Sequence, residues 1–209
     1  MTTSAPPPPF VLPAPPSELR LETERLVLRP LMEVDLPAMT RYRGDPEVCR
    51  YLPFEPQTAD DIRERIGHIL GSTSLDGERG GIPVGIFRRD GGDLIGDLVL
   101  FHLDRANGNV EIGWVIRPDI SGRGYATEAV RGLLGAAFGV LGVRRVIARI
   151  DGENDASARL AERVGMRLEA RQIQNEWYNG RWGDELDYAI LASEWPPRDT
   201  LRTGAHAIR

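Results

Sequence analysis

The stretch that most constrains this chain is residues 116–127, Ile-Arg-Pro-Asp-Ile-Ser-Gly-Arg-Gly-Tyr-Ala-Thr. A β-branched run over residues 109–116 stops at Arg117-Pro118, and two glycines follow within three positions of each other. An apolar stripe at helical spacing then begins: Ala126, Ala129, Val130, Leu133, Ala137, Phe138 and Leu141. A strand, a tight glycine turn and a long helix therefore meet here. Unpaired N–H groups and the helix dipole make such a helix start a natural seat for a phosphate or pyrophosphate. Gly122 and Gly124 allow a positive φ or a close ligand approach, and Arg123 adds a positive charge. The same pattern also describes a plain left-handed turn ahead of a buried helix, and the turn alone does not choose between the two. Two rival phosphate motifs fit worse. Thr127 stands where a dinucleotide fingerprint has its third glycine. A Walker A loop needs a lysine, and all 26 basic residues of this chain are arginine.

The rest of the 209 residues alternates between the two periods. Strands are expected at residues 26–30, 82–88, 94–103, 109–116, 143–150, 168–178 and 185–191. Helices are expected from Asp35-Leu36, from Thr58 as N-cap with Ile62, Ile66, Ile69 and Leu70 on one face, over residues 124–141, and over 155–164. This mixture predicts a layered α/β (α+β) domain at residues 21–195. Residues 1–20, with Pro6 to Pro9, Pro13, Pro15 and Pro16, read as a flexible proline-rich tail, and 196–209 as a second flexible tail.

Composition removes several function classes. The absence of lysine excludes a pyridoxal phosphate Schiff base and a lysine nucleophile. A single cysteine, Cys49, excludes an intrachain disulfide and a Cys-rich zinc site. A net charge of −5 argues against a general nucleic-acid binder. No apolar run is long enough to cross a bilayer, and the proline-rich start lacks the pattern of a secretory signal, so a cytoplasmic protein, monomer or homodimer, is expected.

Residues 109–128, then Asn154-Asp155-Ala156-Ser157 with Gly165-Met166, resemble the GNAT N-acetyltransferase superfamily. The chain is more narrowly similar to the ribosomal-protein-alanine/serine (RimJ/RimL-type) branch, through residues 24–30, Asp45-Pro46-Glu47-Val48, Tyr51-Leu52-Pro53, Asn179-Gly180-Arg181-Trp182 and Asp187-Tyr188. The resemblance implies a mixed, mostly antiparallel twisted sheet with helices on both faces. Its fourth and fifth strands, here 109–117 and 143–151, would splay to admit acetyl-CoA. It implies acetyl transfer to a primary amine with no metal: a protein or peptide N-terminal α-amine, or alternatively a small amine such as an amino acid, polyamine or antibiotic. A non-catalytic acyl-CoA sensor is the third reading.

The resemblance also carries over residue roles. Ser121, Gly122, Arg123, Gly124, Tyr125, Ala126 and Thr127 would hold the pyrophosphate, although Ser121 departs from the family's Gln or Arg. Main-chain groups of Val115 and Ile116 would pair with the pantetheine arm, and Asn154 would bond near its amide. The tyrosine that many members place seven residues after this asparagine is Ala161 here, so the leaving thiolate is assigned to Ser157, one turn beyond Asn154. Two bases are open. Glu176 holds the place of the base in RimL-like relatives. Glu111 shares a strand face with Gly113 and Val115 and could relay through water or orient the acceptor. Tyr51, Phe54, Glu111 and Trp177 are the candidate acceptor contacts.

Overall fold

The computed structural model describes residues 18–75, 80–104, 106–178 and 180–196. Within these, one sheet is built from β1 (Leu21–Glu22), β2 (Leu26–Pro30), β3 (Gly81–Arg88), β4 (Leu94–Asp104), β5 (Asn109–Ile116), β6 (Arg145–Asp151), β7 (Arg167–Tyr178) and β8 (Arg181–Leu191). Their spatial order is β1-β2-β3-β4-β5-β6-β8-β7. Every neighbouring pair is antiparallel except β5 and β6, which run parallel. That parallel pairing covers only Asn109↔Arg145, Val110↔Val146 and Glu111↔Ile147. By contrast, β4 follows β5 as far as Ile116, and β8 follows β6 as far as Asp151. The sheet is thus two antiparallel blocks joined at one end and parted at the other. The expected splay is present but falls between the fifth and sixth strands, because the two-residue β1 shifts the count.

Strand alternation divides the helices between the two faces. Val110 and Ile112 of β5 join a core with Ala129, Val130, Leu133 and Ala137 of α4 (Tyr125–Gly139) and Leu160 and Ala161 of α5 (Asp155–Arg163). Val115 turns the other way. It packs with Leu36, Met39 and Tyr42 of α1 (Leu36–Arg43) and with Ile62 and Ile66 of the helix Ala59–Ile66.

Several boundaries differ from the expected ones. The short α2 (Pro46–Cys49) was not anticipated; Asp45 Oδ1 accepts from the Glu47 N–H at 2.9 Å, and Pro46 at the first position needs no partner for a missing N–H. The next helix, α3 (Ala59–Ile66), starts at Thr58 as expected, with a reciprocal Thr58–Asp61 capping box. It stops short of Ile69 and Leu70, because at Gly67 the chain tightens into a 3-10 turn, Gly67–Ile69. Strand β8 begins four residues earlier than residue 185, at Arg181. Leu19, placed in the proline-rich tail, is only 3% exposed and belongs to the core. The remainder of that tail before residue 18, and the C-terminal tail beyond residue 196, lie outside the described residues.

A buried ion pair locks α1 onto β4. Arg43 Nη2 and Nε donate to the two Asp97 carboxylate oxygens at 2.6 and 3.1 Å, and Tyr42 Oη donates to Asp97 Oδ2 at 2.5 Å. Arg43 and Asp97 are 5% and 2% exposed. Burial disfavours the Arg43 charge, but Asp97 outweighs it and holds the guanidinium firmly protonated. Burial and then Asp97 push the Tyr42 phenol well above its ordinary range. Arg43 Nη1 also donates to Gln57 Oε1 at 3.2 Å, so both ends of segment 43–57 are tied to one cation. Removing one member of a buried pair strands the other. Asp97→Asn is expected to lower the unfolding free energy by about 3 kcal/mol in urea denaturation; a loss below about 1 kcal/mol would mean that apolar packing alone holds α1 in place.

Candidate active site

The loop after β5 leads through a 3-10 turn, Pro118–Ile120, into Gly122 at φ +77° and Gly124 at φ +81°. Both values lie in the left-handed region that glycine tolerates. Helix α4 begins at Tyr125 without a side-chain cap, so no residue competes for its first-turn amides. A Cβ at Gly122 would meet nothing within 4 Å, which leaves the backbone there open to a ligand.

Arg25 shapes this loop. Its Nη1 donates to the Arg123 carbonyl at 2.9 Å, and its guanidinium lies 4.5 Å from the Tyr125 ring centroid. Its Nε and its backbone N–H donate to Glu128 at 2.7 Å each, and Thr23 Oγ1 donates to the same carboxylate at 2.5 Å. Burial pushes the Glu128 carboxyl up, but these bonds outweigh it and leave the group below its ordinary range. Residues 24–30 were read as a strand and a family signature, with no role for Arg25; the contact that gives Arg25 its position spans about a hundred residues and leaves no local pattern. The Arg123 side chain is exposed and lines none of the cavities described here.

Where β5 and β6 part, a cavity of about 550 Å³ runs from the loop along the open edge of β5. Val115, Ile116, Ser121, Gly122, Gly124, Tyr125, Ala126, Thr127, Asn154 and Ser157 are among its walls. A second cavity of about 170 Å³ shares Tyr51, Leu52, Trp114, Val115, Asn154 and Ser157 with it and continues to Glu111, Phe54 and Arg65. Asn154 caps α5, its Oδ1 accepting from the Ser157 N–H at 3.1 Å. Trp114 Nε1 donates to Ser157 Oγ at 3.0 Å. An indole N–H can only donate, so Ser157 accepts from it and keeps its own proton for another partner. The Trp114–Ser157 bond joins β5 to α5, and strand alternation alone could not place it.

A third cavity, about 120 Å³, brings Glu111, Glu176 and Glu185 together with Arg149, Tyr51 and Pro53. Glu111 is pushed above its ordinary range by burial; Arg149, 3.7 Å away, pulls it down, and Asp187 and Glu176 push it up. Burial and then Glu176 raise Glu185 too. Glu176 reaches this cavity beside a bulge in β7, where the register against β8 shifts between Gln172 and Glu176 and Gln174 takes φ +50°. Bulges re-aim the side chains beside them. Trp177 lies elsewhere: it is 60% exposed, stacks edge-on against Trp182 at 5.5 Å, and lines none of these cavities. Among the described residues, no group of three or more His, Cys, Asp and Glu side chains could hold a metal ion.

A sheet parted beside an uncapped, glycine-opened helix start, with carboxylates at the far end of the gap, is the arrangement of an acyl-group transferase. The acetyltransferase (GNAT) domain family matches residues 25–167, and the chain belongs to this family of N-acetyltransferases. YnaD of Bacillus subtilis, an N-acetyltransferase whose name gives no acceptor, is 32% identical over 85% of this chain and 99% of its own length. The spermidine N(1)-acetyltransferase of Escherichia coli K12 is 23% identical over 83% of this chain and 92% of its own. Among solved structures, a GNAT-family acetyltransferase from Bacillus anthracis superposes with a TM-score of 0.74 at 30% identity, covering 84% of this chain and all of that one. The spermidine N-acetyltransferase of Vibrio cholerae, solved with CoA and spermine, shares the fold at a TM-score of 0.71 and 22% identity, over 81% of this chain and 96% of that one.

If Arg25 holds the glycine loop open, Arg25→Met should weaken coenzyme A binding about tenfold by calorimetry, the equivalent of about 1.4 kcal/mol. An unchanged Kd would reduce the Arg25–Glu128 contact to a tether for the first strands.

Proposed function

We propose that this chain transfers acetyl from acetyl-CoA directly to the α-amine of a protein or peptide N-terminus, as a cytoplasmic enzyme of the RimJ/RimL-like branch. The observation that carries this reading is the shared wall of Tyr51, Leu52, Trp114, Val115, Asn154 and Ser157, through which the glycine loop and the carboxylates open on one another. YdaF of Bacillus subtilis, provisionally named a ribosomal N-acetyltransferase and 32% identical over 67% of this chain, supports the branch. A small cationic amine is the second reading, favoured by the cluster of Glu111, Glu176 and Glu185 and by the spermidine-acetylating relatives.

The residues present suit coenzyme A: the first-turn amides of α4 lack a cap, and the glycine loop has room for a diphosphate. When bound, it supplies an acetyl group activated as a thioester. Backbone N–H groups of Gly122, Gly124, Tyr125 and Ala126 bind the diphosphate, with Ser121 and Thr127 flanking it. Beyond Glu111 the β6-facing edge of β5 has no strand partner among the described residues, so Val115 and Ile116 can pair with the extended pantetheine arm. A main-chain N–H of β5 donates to the thioester oxygen. Trp114 donates to Ser157 Oγ, which leaves the Ser157 proton available to the leaving sulfur. Glu176 takes the proton of the incoming ammonium, directly or through water, and Glu111 orients the amine. Tyr51 and Phe54 wall the acceptor side.

Glu176→Gln and Glu111→Gln are each expected to cut kcat, the base by about a hundredfold; a loss under threefold removes that residue from the mechanism. Ser157→Ala and Trp114→Phe should lower kcat while leaving the Kd for coenzyme A within about twofold. The acid limb of kcat/KM should lie above the ordinary glutamate range, because Glu111 must ionise from a buried position. Arg149→Gln should move it higher still, since Arg149 is what holds Glu111 down. Free-thiol release with an amine library tests the whole reading: coenzyme A binding without thiol release on any acceptor would leave a sensor rather than an enzyme.

A further inference from the structure

Of the charged side chains on the wall of the 170 Å³ cavity, all but Arg65 have an oppositely charged partner within ion-pair distance, Asp151 through Arg181, which it shares with Glu153. Arg43 meets Asp97 at 2.6 Å, Arg149 meets Glu111 at 3.7 Å, and Asp151 meets Arg181 at 3.0 Å. Arg65 has no carboxylate within ion-pair distance among the described residues; its guanidinium stacks on Phe54, 4.7 Å from the ring centroid. Its neighbour on α3, Arg63, is by contrast paired with both Glu33 and Asp60 on the outer surface. Arg43 lies 5.2 Å from the same Phe54 ring, so two guanidiniums share one apolar surface. Burial of part of the side chain and the Arg43 charge both push the Arg65 pKa down, while the residue stays exposed, so water rather than a carboxylate balances this cation at the cavity wall. In the adjoining cavity Glu176 is the mirror case, a carboxylate with no basic partner within ion-pair distance among the described residues.

We infer that the acceptor is an amine that also bears a carboxylate, with its amine turned to Glu176 and Glu111 and its carboxylate on Arg65. This rests on the acetyl-transfer reading above and narrows its substrate class. A guanidinium on one cavity and a carboxylate on the next, with Tyr51, Pro53, Glu111 and Arg149 as their shared wall, complement a molecule with both charges, and Arg65 repels a polycation. The carboxylate can come from a free amino acid or from an acidic residue early in a peptide.

The test measures thiol release by the full-length chain with matched acceptors: alanine against alaninamide, alanyl-glutamate amide against alanyl-glutamine amide, and spermidine. In at least one matched pair the carboxylate member should be favoured about tenfold in kcat/KM, chiefly through KM; the pair that shows it identifies the source. Arg65→Gln should bring that ratio to within about twofold, and Arg65→Lys should restore part of it. Because each ratio is taken within one variant, loss of folded protein does not alter it. Equal use of the amides, preferred use of spermidine, or a ratio untouched by Arg65→Gln overturns the inference and leaves acetyl transfer standing. Thiol release from none of the acceptors, with coenzyme A bound, overturns acetyl transfer and this inference with it.

Discussion

Among the described residues, the strand ladder between the two halves of the sheet is three pairs long, Asn109 to Glu111 against Arg145 to Ile147, and the site depends on that brevity. Each half is satisfied by its own antiparallel partners, β4 for β5 and β8 for β6. The strands can therefore part while each keeps one edge fully paired and leaves only the edge facing the gap without partners. An unpaired strand edge is a liability in water and an asset for an extended ligand. The division also separates the chemistry. The glycine loop follows β5, Glu176 and Glu185 ride on β7 and β8, and Glu111 stands at the fork between them.

Two polar clamps keep that gap in shape. On one face, Arg43, Asp97 and Tyr42 fasten the end of α1 to β4 and so hold the segment carrying Tyr51 and Phe54 over the opening. On the other, Glu128 gathers Thr23 and Arg25 against the start of α4. Buried ion pairs contribute little net stability over well-packed apolar side chains, because desolvation offsets their attraction. Their directionality is what matters here. Apolar packing alone would let α1 and the glycine loop slide, whereas paired hydrogen bonds fix their register.

Much of this was legible in the chain itself because it rests on local rules. Positive-φ glycines before an apolar helical stripe mark the loop, and alternation along residues 109–116 puts Glu111, Gly113 and Val115 on one face. Thr58 and Asn154 cap helices for the same short-range reason. What escaped was long-range or register-dependent. The bond from Trp114 to Ser157 spans 43 positions and that from Arg25 to Arg123 spans 98. No periodicity encodes either. Trp177 was read as an acceptor contact by residue type, but the irregular β7 register turns it outward beside Trp182. Arg65 was read merely as part of a helix, because its missing partner is a property of the cavity and not of the sequence.

The single cysteine sits apart from all of this. Cys49 is 2% exposed, its Sγ–H donates to the Arg43 carbonyl at 3.1 Å, and burial pushes the thiol pKa up. A protonated, enclosed sulfur is a poor partner for exchange. Forming a mixed disulfide between the released coenzyme A thiol and this chain would need both an oxidant and an accessible cysteine, and Cys49, the one cysteine in the sequence, is enclosed. The product can accumulate, or oxidise to its own dimer, without derivatising the protein that made it.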